Sequence, residues 1–251
     1  MYNNDRENEI LAAIRSNGYV SVKELASMLS ISESSIRRDL STLQSKGLIS
    51  RKHGGAEAID SVTRNIPYSH RYQLGKNEKK RIAQVAATLV KEGDVVFLDA
   101  SSTTIYLAKE IATISGITII TNGVDIAREL CNYSVKVICT GGLMYNEDRV
   151  MLVGSMVLDV IKSIHADIAF VSSQALSYDG VMTCVYQEAN DVRRAMIENA
   201  DRRVYLCLES KIGRIAPYRL ATLNSVDYLV CETEAPRELS DKFPKVQFLH
   251  P

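Results

Sequence analysis

The sequence predicts an α/β chain in two parts, a small helical head closed by a hairpin and a larger domain built on a mostly parallel sheet. Three observations predict it. Apolar residues in the first 56 positions recur at helical spacing and run into a Gly54-Gly55 turn. From Asn77 onward, short apolar runs alternate with amphipathic segments, the pattern of strand and helix in turn. Between them, residues 58–76 lose periodicity and contain Pro67, as a linker does. The expected division is therefore 1–57, a linker at 58–76, and 77–251.

The head reads in order. Asp5 to Asn17 carries an apolar stripe of Ile10, Leu11 and Ile14 and stops at Asn17-Gly18. Tyr19 to Val22 is short and extended. Ser21 and Glu24 fit a capping box that starts a second helix with Leu25, Ala26, Met28 and Leu29 inward. After Ser30-Ile31, Ser32 caps a third helix with Ile36, Leu40 and Leu43 on its buried side. Ser34, Ser35, Arg37, Arg38 and Ser41 fall largely on its other faces. Gly47 signals its end, and Leu48, Ile49, Arg51 and Lys52 lead into the turn at His53-Gly54-Gly55. Helix, short strand, helix, tight turn, helix and basic hairpin is the order of a winged helix-turn-helix. A third helix of about 14 residues spans roughly 21 Å, enough to lie in a DNA major groove.

Charge supports this locally, not globally. Thirty basic and thirty acidic residues leave the 251-residue chain neutral. Between Ser32 and Ala56, however, Arg37, Arg38, Lys46, Arg51 and Lys52 face only Glu33 and Asp39. Arg37 and Arg38 are adjacent and diverge by about 100°. One is expected to reach a base edge or phosphate, the other to pair with Asp39 or a phosphate. Arg51 and Lys52 read as phosphate contacts, and His53 as a wing residue held by the glycine turn. Arg64, His70 and Arg71 read as solvated linker charges before added phosphate contacts.

The head resembles the DNA-binding domain of DeoR-type bacterial transcription regulators. The residues that carry the resemblance are Leu25-Ala26, Ser32, Ser35-Ile36-Arg37-Arg38-Asp39-Leu40, Gly47-Leu48-Ile49 and Arg51-Lys52-His53-Gly54-Gly55-Ala56.

In the second domain, Asn77-Glu78-Lys79 is read as capping a helix with Ile82, Val85, Ala86, Leu89 and Val90 inward. Strands are expected at Val95–Leu98, Ile117–Ile120, Val135–Cys139, Ile168–Val171, Val204–Leu208 and Tyr228–Cys231. Helices are expected at Thr103–Ile111, Val124–Cys131, Ser155–Ile164 and Glu188–Ala200. Ligands of open α/β sheets sit at the carboxyl ends of the strands. There the sequence places Asp99 with Ser101, Ser102, Thr103 and Thr104, then Thr121-Asn122, then Gly141-Gly142, then Ser172-Ser173-Gln174, then Lys211. Hydroxyls and backbone N–H groups at helix starts, with one lysine, suit a phosphate, and Asp99 and Asn122 suit sugar hydroxyls. Each alone could equally be an N-cap or a turn.

This half also resembles the DeoR type, whose sensor domain is similar to ribose-phosphate isomerases and CoA transferases. The shared residues are Asp99 to Thr104, Thr121-Asn122, Thr140-Gly141-Gly142, Gly154 and Ser210-Lys211-Ile212-Gly213. The departures are Ser101, Ser172 and Ala175 in place of glycines, and Gln174 and Leu208 in place of acids. Side chains where glycines let a backbone close on a phosphate crowd that site. The resemblance implies a DNA-binding repressor of carbohydrate genes that assembles as a dimer or tetramer on a double-stranded operator. A small effector of the phosphorylated-sugar kind would release it. Two other readings stay open: a degenerate effector site serving assembly alone, and a sugar-phosphate isomerase using Asp99 and Lys211.

No metal or cofactor is implied: the five cysteines are scattered without a C-x-x-C pair and read as buried free thiols of a reducing compartment. No apolar run approaches the 18 or so residues of a membrane span, and the polar start is unlike a signal peptide, so the expected location is the cytoplasm.

Overall fold

A computed structural model of the chain describes residues 2–45, 48–58, 68–145 and 150–251. It divides into two compact units, 1–74 and 75–251. The expectations for Lys46, Gly47, Arg64 and Pro67 lie outside the described residues.

The first unit runs α1 (Tyr2–Asn17), β1 (Tyr19–Ser21), α2 (Val22–Leu29), α3 (Glu33–Ser45), β2 (Ile49–Lys52), β3 (Gly55–Ala58) and α4 (Tyr68–Gln73). Ser21 and Glu24 form the capping box: Ser21 Oγ accepts the Glu24 N–H, and the Glu24 carboxylate accepts the Ser21 N–H at 2.8 Å. The three helices bury Ile10, Ile14, Leu25, Ile36, Leu40 and Leu43 completely, in one core shared with Val20 and Ile49. The strands form an antiparallel sheet in the order β1-β3-β2, which makes β2 and β3 the wing.

Gly55 is where wing and head meet most closely. A Cβ there would lie 2.4 Å from the Val20 carbonyl and 2.5 Å from the Tyr19 hydroxyl, which itself donates to the His53 carbonyl at 3.1 Å. Overpacking against backbone costs about 1–3 kcal/mol. Gly55→Ala should therefore lower the melting temperature of the first unit visibly, with loss of the β1–β3 pairing. An unchanged melt would mean that β1 can move aside freely.

The second unit runs α5 (Lys76–Ala87), β4 (Val95–Leu98), α6 (Thr104–Ile111), β5 (Thr118–Thr121), α7 (Val124–Leu130), β6 (Lys136–Cys139), β7 (Leu143–Met144), β8 (Leu152–Val153), α8 (Ser155–Lys162), β9 (Ala166–Ser172), β10 (Ala175–Leu176), β11 (Val181–Cys184), α9 (Gln187–Glu198), β12 (Ala200–Leu206), β13 (Tyr218–Thr222), β14 (Tyr228–Val230), α10 (Arg237–Lys242) and β15 (Gln247–Leu249). Seven strands pair in parallel in the order β15-β14-β12-β9-β4-β5-β6. The apolar runs become strands because both faces of the sheet are covered, as the burial of Phe97, Ile120, Phe170, Val171 and Tyr205 shows.

Several expectations need correction. Asn77 does not cap α5; Gly75 does, in the left-handed region at φ +62°, and α5 ends at Ala87, short of Leu89 and Val90. The expected strand at Leu208 stops at Leu206, because the chain turns there into a 3-10 turn, Glu209–Lys211. The seventh strand, the antiparallel sheet β10-β11-β13 and the β7–β8 pair have no counterpart in the expected elements; β7, β8 and β10 are two residues each, while β11 and β13 are as long as strands that were expected. The cysteines are free, but only Cys184, Cys207 and Cys231 are buried. Cys131 caps α7 and Cys139 ends the outermost strand, β6, and both are exposed.

What matters most for a site is where the strand order reverses. From β4 the chain winds outward through β5 to β6, then returns to β9 on the other side of β4. The crevice between β4 and β9, at their carboxyl ends, is the topological switch point.

Candidate nucleic-acid interface and anion crevice

On α3, Ser32 acts at the helix start: its Oγ accepts the Ser35 N–H at 3.3 Å and lies 3.0 and 2.9 Å from the hydroxyls of Ser34 and Ser35. Asp39 is buried, and Arg6 of α1 grips both its oxygens at 2.7 Å. It therefore fixes α3 to α1 and pairs with neither neighbouring arginine. Of the two partners expected for the second arginine this removes Asp39, whose own partner lies 33 residues away, and leaves the phosphate. Arg37 instead holds Glu33 one turn back, at 2.9 Å and in the open. Arg38 is exposed and has no side-chain partner among the described residues.

The wing is tied to this helix. Arg51 Nη1 donates to the Arg37 carbonyl at 3.3 Å and to Ser41 Oγ at 3.2 Å, and Arg51 Nε is buried without a partner. Ser41 Oγ in turn donates to the Arg37 carbonyl. Arg51 thus braces wing against helix through Nη1. Lys52 pairs with Glu57 inside the wing at 3.0 Å, and His53 sits exposed at its tip. Ser32, Ser34, Ser35, Arg37, Arg38 and Ser41 lie together on α3, with Arg51 laid across them and Lys52 and His53 at the wing end.

In the second unit, Asp99 ends β4 and is 1% exposed. Its Oδ1 accepts from the Ser101 N–H (3.2 Å) and lies 3.1 Å from the Thr104 hydroxyl, which has a nearer acceptor in the Asp99 backbone carbonyl (2.6 Å). Its Oδ2 accepts from the Ser172 N–H (3.2 Å) and from Arg193 Nε (2.5 Å). One carboxylate thus joins the loops after β4 and β9. Two backbone N–H groups and one guanidinium thus hold the carboxylate in place. Arg193, on α9, is equally buried. Burial disfavours its charge, but Cys184, whose sulfur lies 3.4 Å from Nη1, and Asp99 reverse this and hold its pKa above the ordinary value.

The hydroxyls do gather at the start of α6. Ser101 Oγ accepts the N–H groups of Thr103 (3.3 Å) and Thr104 (3.1 Å), and Ser102 Oγ accepts from Lys79 Nζ at 3.1 Å. Ser101, Ser102, Thr103 and Thr104 are all buried. Across the switch point, Lys211 Nζ donates to the Ser173 carbonyl (2.6 Å) and Ser172 Oγ (3.3 Å). Ser173 Oγ lies 2.8 Å from the Ala175 carbonyl and 2.5 Å from the Tyr205 hydroxyl. Burial pushes Tyr205 well above the ordinary tyrosine range, so it stays a neutral donor.

The remaining candidates divide. Thr121 Oγ1 accepts the Gly123 N–H, and Asn122 Nδ2 donates to the Leu152 carbonyl at 2.9 Å, leaving a buried Asn122 Oδ1 without a partner. Both stand next to the Asp99 loop, since a Cβ on Gly123 would lie 3.2 Å from Ala100 Cα. Gln174 also has a buried, unpartnered Oε1. Gly141 and Gly142 lie farther out, after β6. Both have positive φ, and a Cβ on Gly142 would strike Val157 at 2.5 Å, so this position serves packing.

Reading strand ends missed two cations, Arg193 and Lys79, because both come from helix faces. A signal existed: Arg193 shares its apolar stripe with Ala189, Val192 and Met196, and Lys79 shares one with Ile82, Ala83 and Ala86. A cation on a buried stripe needs a partner. No group of three or more His, Cys, Asp or Glu able to hold a metal occurs among the described residues, nor any helix long and apolar enough to cross a membrane.

Comparison with known proteins follows the same division. The family described as DeoR-like helix-turn-helix domain matches residues 6–62, and that described as DeoR C terminal sensor domain matches residues 75–233. Over 244 residues the chain is 33% identical to the HTH-type transcriptional regulator GolR of Listeria innocua, covering 97% of this chain and 96% of that one. Over 242 residues it is 31% identical to the glycerol-3-phosphate regulon repressor of Escherichia coli, covering 96% and 94%. Among solved structures, ribose 5-phosphate isomerase A of Methanocaldococcus jannaschii aligns over 55% of each chain, at 19% identity and a TM-score of 0.42.

Proposed function

This chain belongs to the DeoR family of transcriptional regulators, and we propose that it is a repressor of carbohydrate genes that a small phosphorylated effector releases from its operator. The observation that carries the reading is the face of α3: an apolar back sealed into the head, and a front of serines with Arg38 exposed and unengaged. Such a helix presents donors to base edges and phosphates in a major groove. The name of the Escherichia coli relative, a glycerol-3-phosphate regulon repressor, supports an effector carrying a phosphate. Lys79, Lys211 and the hydroxyls before α6 suit that group, and the free Asn122 Oδ1 suits a hydroxyl donor on the same molecule.

We read the second unit as binding without turnover. Asp99 is buried and ion-paired to Arg193, which makes it a poor general base, and Gln174 and Leu208 stand where the family pattern carries acids. The protein works in the cytoplasm, on double-stranded DNA, as a homo-oligomer.

Selection of duplexes from a random pool by the full chain, followed by affinity measurement, tests the reading. It predicts a repeated half-site whose centres lie about one helical turn, roughly 34 Å, or a multiple apart. Enrichment of no common sequence would overturn it.

A further inference from the structure

We propose that Arg51 is a positioning residue, which locks the wing to α3 through Ser41 so that both meet the duplex as one surface. The proposal rests on the DNA reading of α3 above and takes Arg51 and Ser41 out of the set that touches the operator.

Strand alternation puts Arg51 where it can do this. Ile49 and Arg51 stand two apart on β2 and share a face, and Ile49 is sealed into the head core with Ile36 and Leu40. Arg51 therefore reaches α3 one step nearer the wing tip. Lys52 leaves by the other face, where Glu57 on β3 meets it at 3.0 Å. The Arg51 Nη1 group ends on the Arg37 carbonyl at 3.3 Å and on Ser41 Oγ at 3.2 Å. Ser41 Oγ closes the triangle by donating to the same carbonyl at 2.8 Å, which spends its one hydroxyl proton inward. Arg51 Nε is buried without a partner. An arginine recruited only for a phosphate would keep that donor in water, because burying it unpaired carries a desolvation penalty. The turn of the wing is held from the opposite side as well. The Tyr19 hydroxyl donates to the His53 carbonyl at 3.1 Å, and the Val22 N–H to the Gly54 carbonyl at 2.8 Å. The wing is thus tied to β1 and α2 on one side and, through Arg51, to α3 on the other. Fixing it before binding removes an ordering cost that the complex would otherwise carry.

The test compares the wild type with Arg51→Lys, Ser41→Ala and the double variant, all full-length, with melts to verify folding. Each is titrated over a range of salt with a duplex selected by the wild type and with a scrambled duplex of the same length. Arg51→Lys keeps the charge, but its ammonium sits one bond closer to the backbone. Acceptors already 3.2 and 3.3 Å away then fall out of its reach. It should weaken binding to the selected duplex by about tenfold, with the scrambled-duplex affinity and the salt slope unchanged. Ser41→Ala should give a smaller loss of the same kind. The double variant should match Arg51→Lys to within about twofold, as members of one contact do. A role in fold stability alone would leave the ratio of the two affinities unmoved, and that result overturns the proposal. Arg51→Lys within about twofold of the wild type would reveal a phosphate contact that any point charge fills. Losses that multiply in the double variant would reveal two separate contacts. Either result overturns the proposal and leaves α3 as the DNA reader. A wild type that binds the selected and scrambled duplexes equally would sink both.

Discussion

Replacing Arg193 with methionine should destabilise the second unit by about 3–5 kcal/mol, the cost of leaving a buried carboxylate without its counter-charge. The size follows from the geometry. Asp99 is 1% exposed, and its remaining donors are two backbone N–H groups, with the Thr104 hydroxyl 3.1 Å away but nearer to the Asp99 carbonyl. None of them carries charge. Desolvation of the ion then goes unmet, and the carboxyl must take up a proton or draw in water. Either response loosens the loops after β4 and β9, which this side chain joins through its bonds to Ser101 and Ser172. Equilibrium unfolding in urea measures the loss. The double variant Arg193→Met with Asp99→Asn should recover a large part of it, because a neutral amide oxygen can still accept from those N–H groups. A loss below about 1 kcal/mol in the single variant would show that the pair is not the keystone described, since that is no more than an exposed pair contributes.

Arg38→Ala should weaken binding to a selected operator by about 1–3 kcal/mol, with reduced discrimination at one base position, as a lost base contact does. Arg37→Ala should weaken it less. The two residues are neighbours in sequence but not in situation: Arg37 is held by Glu33 at 2.9 Å, and the Arg38 side chain has no partner among the described residues to give up before it meets DNA. Gel-shift titrations over a range of salt separate the contributions, because removing a phosphate contact lowers the salt slope by about one unit while leaving sequence preference unchanged. Equal losses for the two variants, or none for Arg38→Ala, would contradict the assignment.

The order of elements was legible in the sequence wherever one periodicity ran long enough to dominate. The Ser21–Glu24 box, the Ile36-Leu40-Leu43 stripe and six of the seven parallel strands are local patterns, and local patterns survive folding. The seventh strand, Gln247–Leu249, and the two-residue strands carry too few residues to show a period. The site was legible by halves. Chain topology delivers strand ends to one edge, so Asp99, Ser101 to Thr104 and Lys211 could be listed together from sequence. Their partners could not. Arg6 holds Asp39 across 33 residues and Arg193 holds Asp99 across 94, and no local pattern encodes a pairing of that separation. The brace that Asp99 forms between two loops is for the same reason invisible in the sequence.

The central claim is that DNA held by α3 and an anion held at the β4–β9 switch point oppose one another. Linkage makes this measurable from both ends, because the factor by which a compound weakens DNA binding must equal the factor by which DNA weakens binding of the compound. Calorimetric titration of the active sugar phosphate into the full chain, free and saturated with its selected duplex, gives the second factor. The account predicts two equal factors of about tenfold or more. A sugar phosphate that binds with the same affinity in the presence and absence of DNA would contradict it.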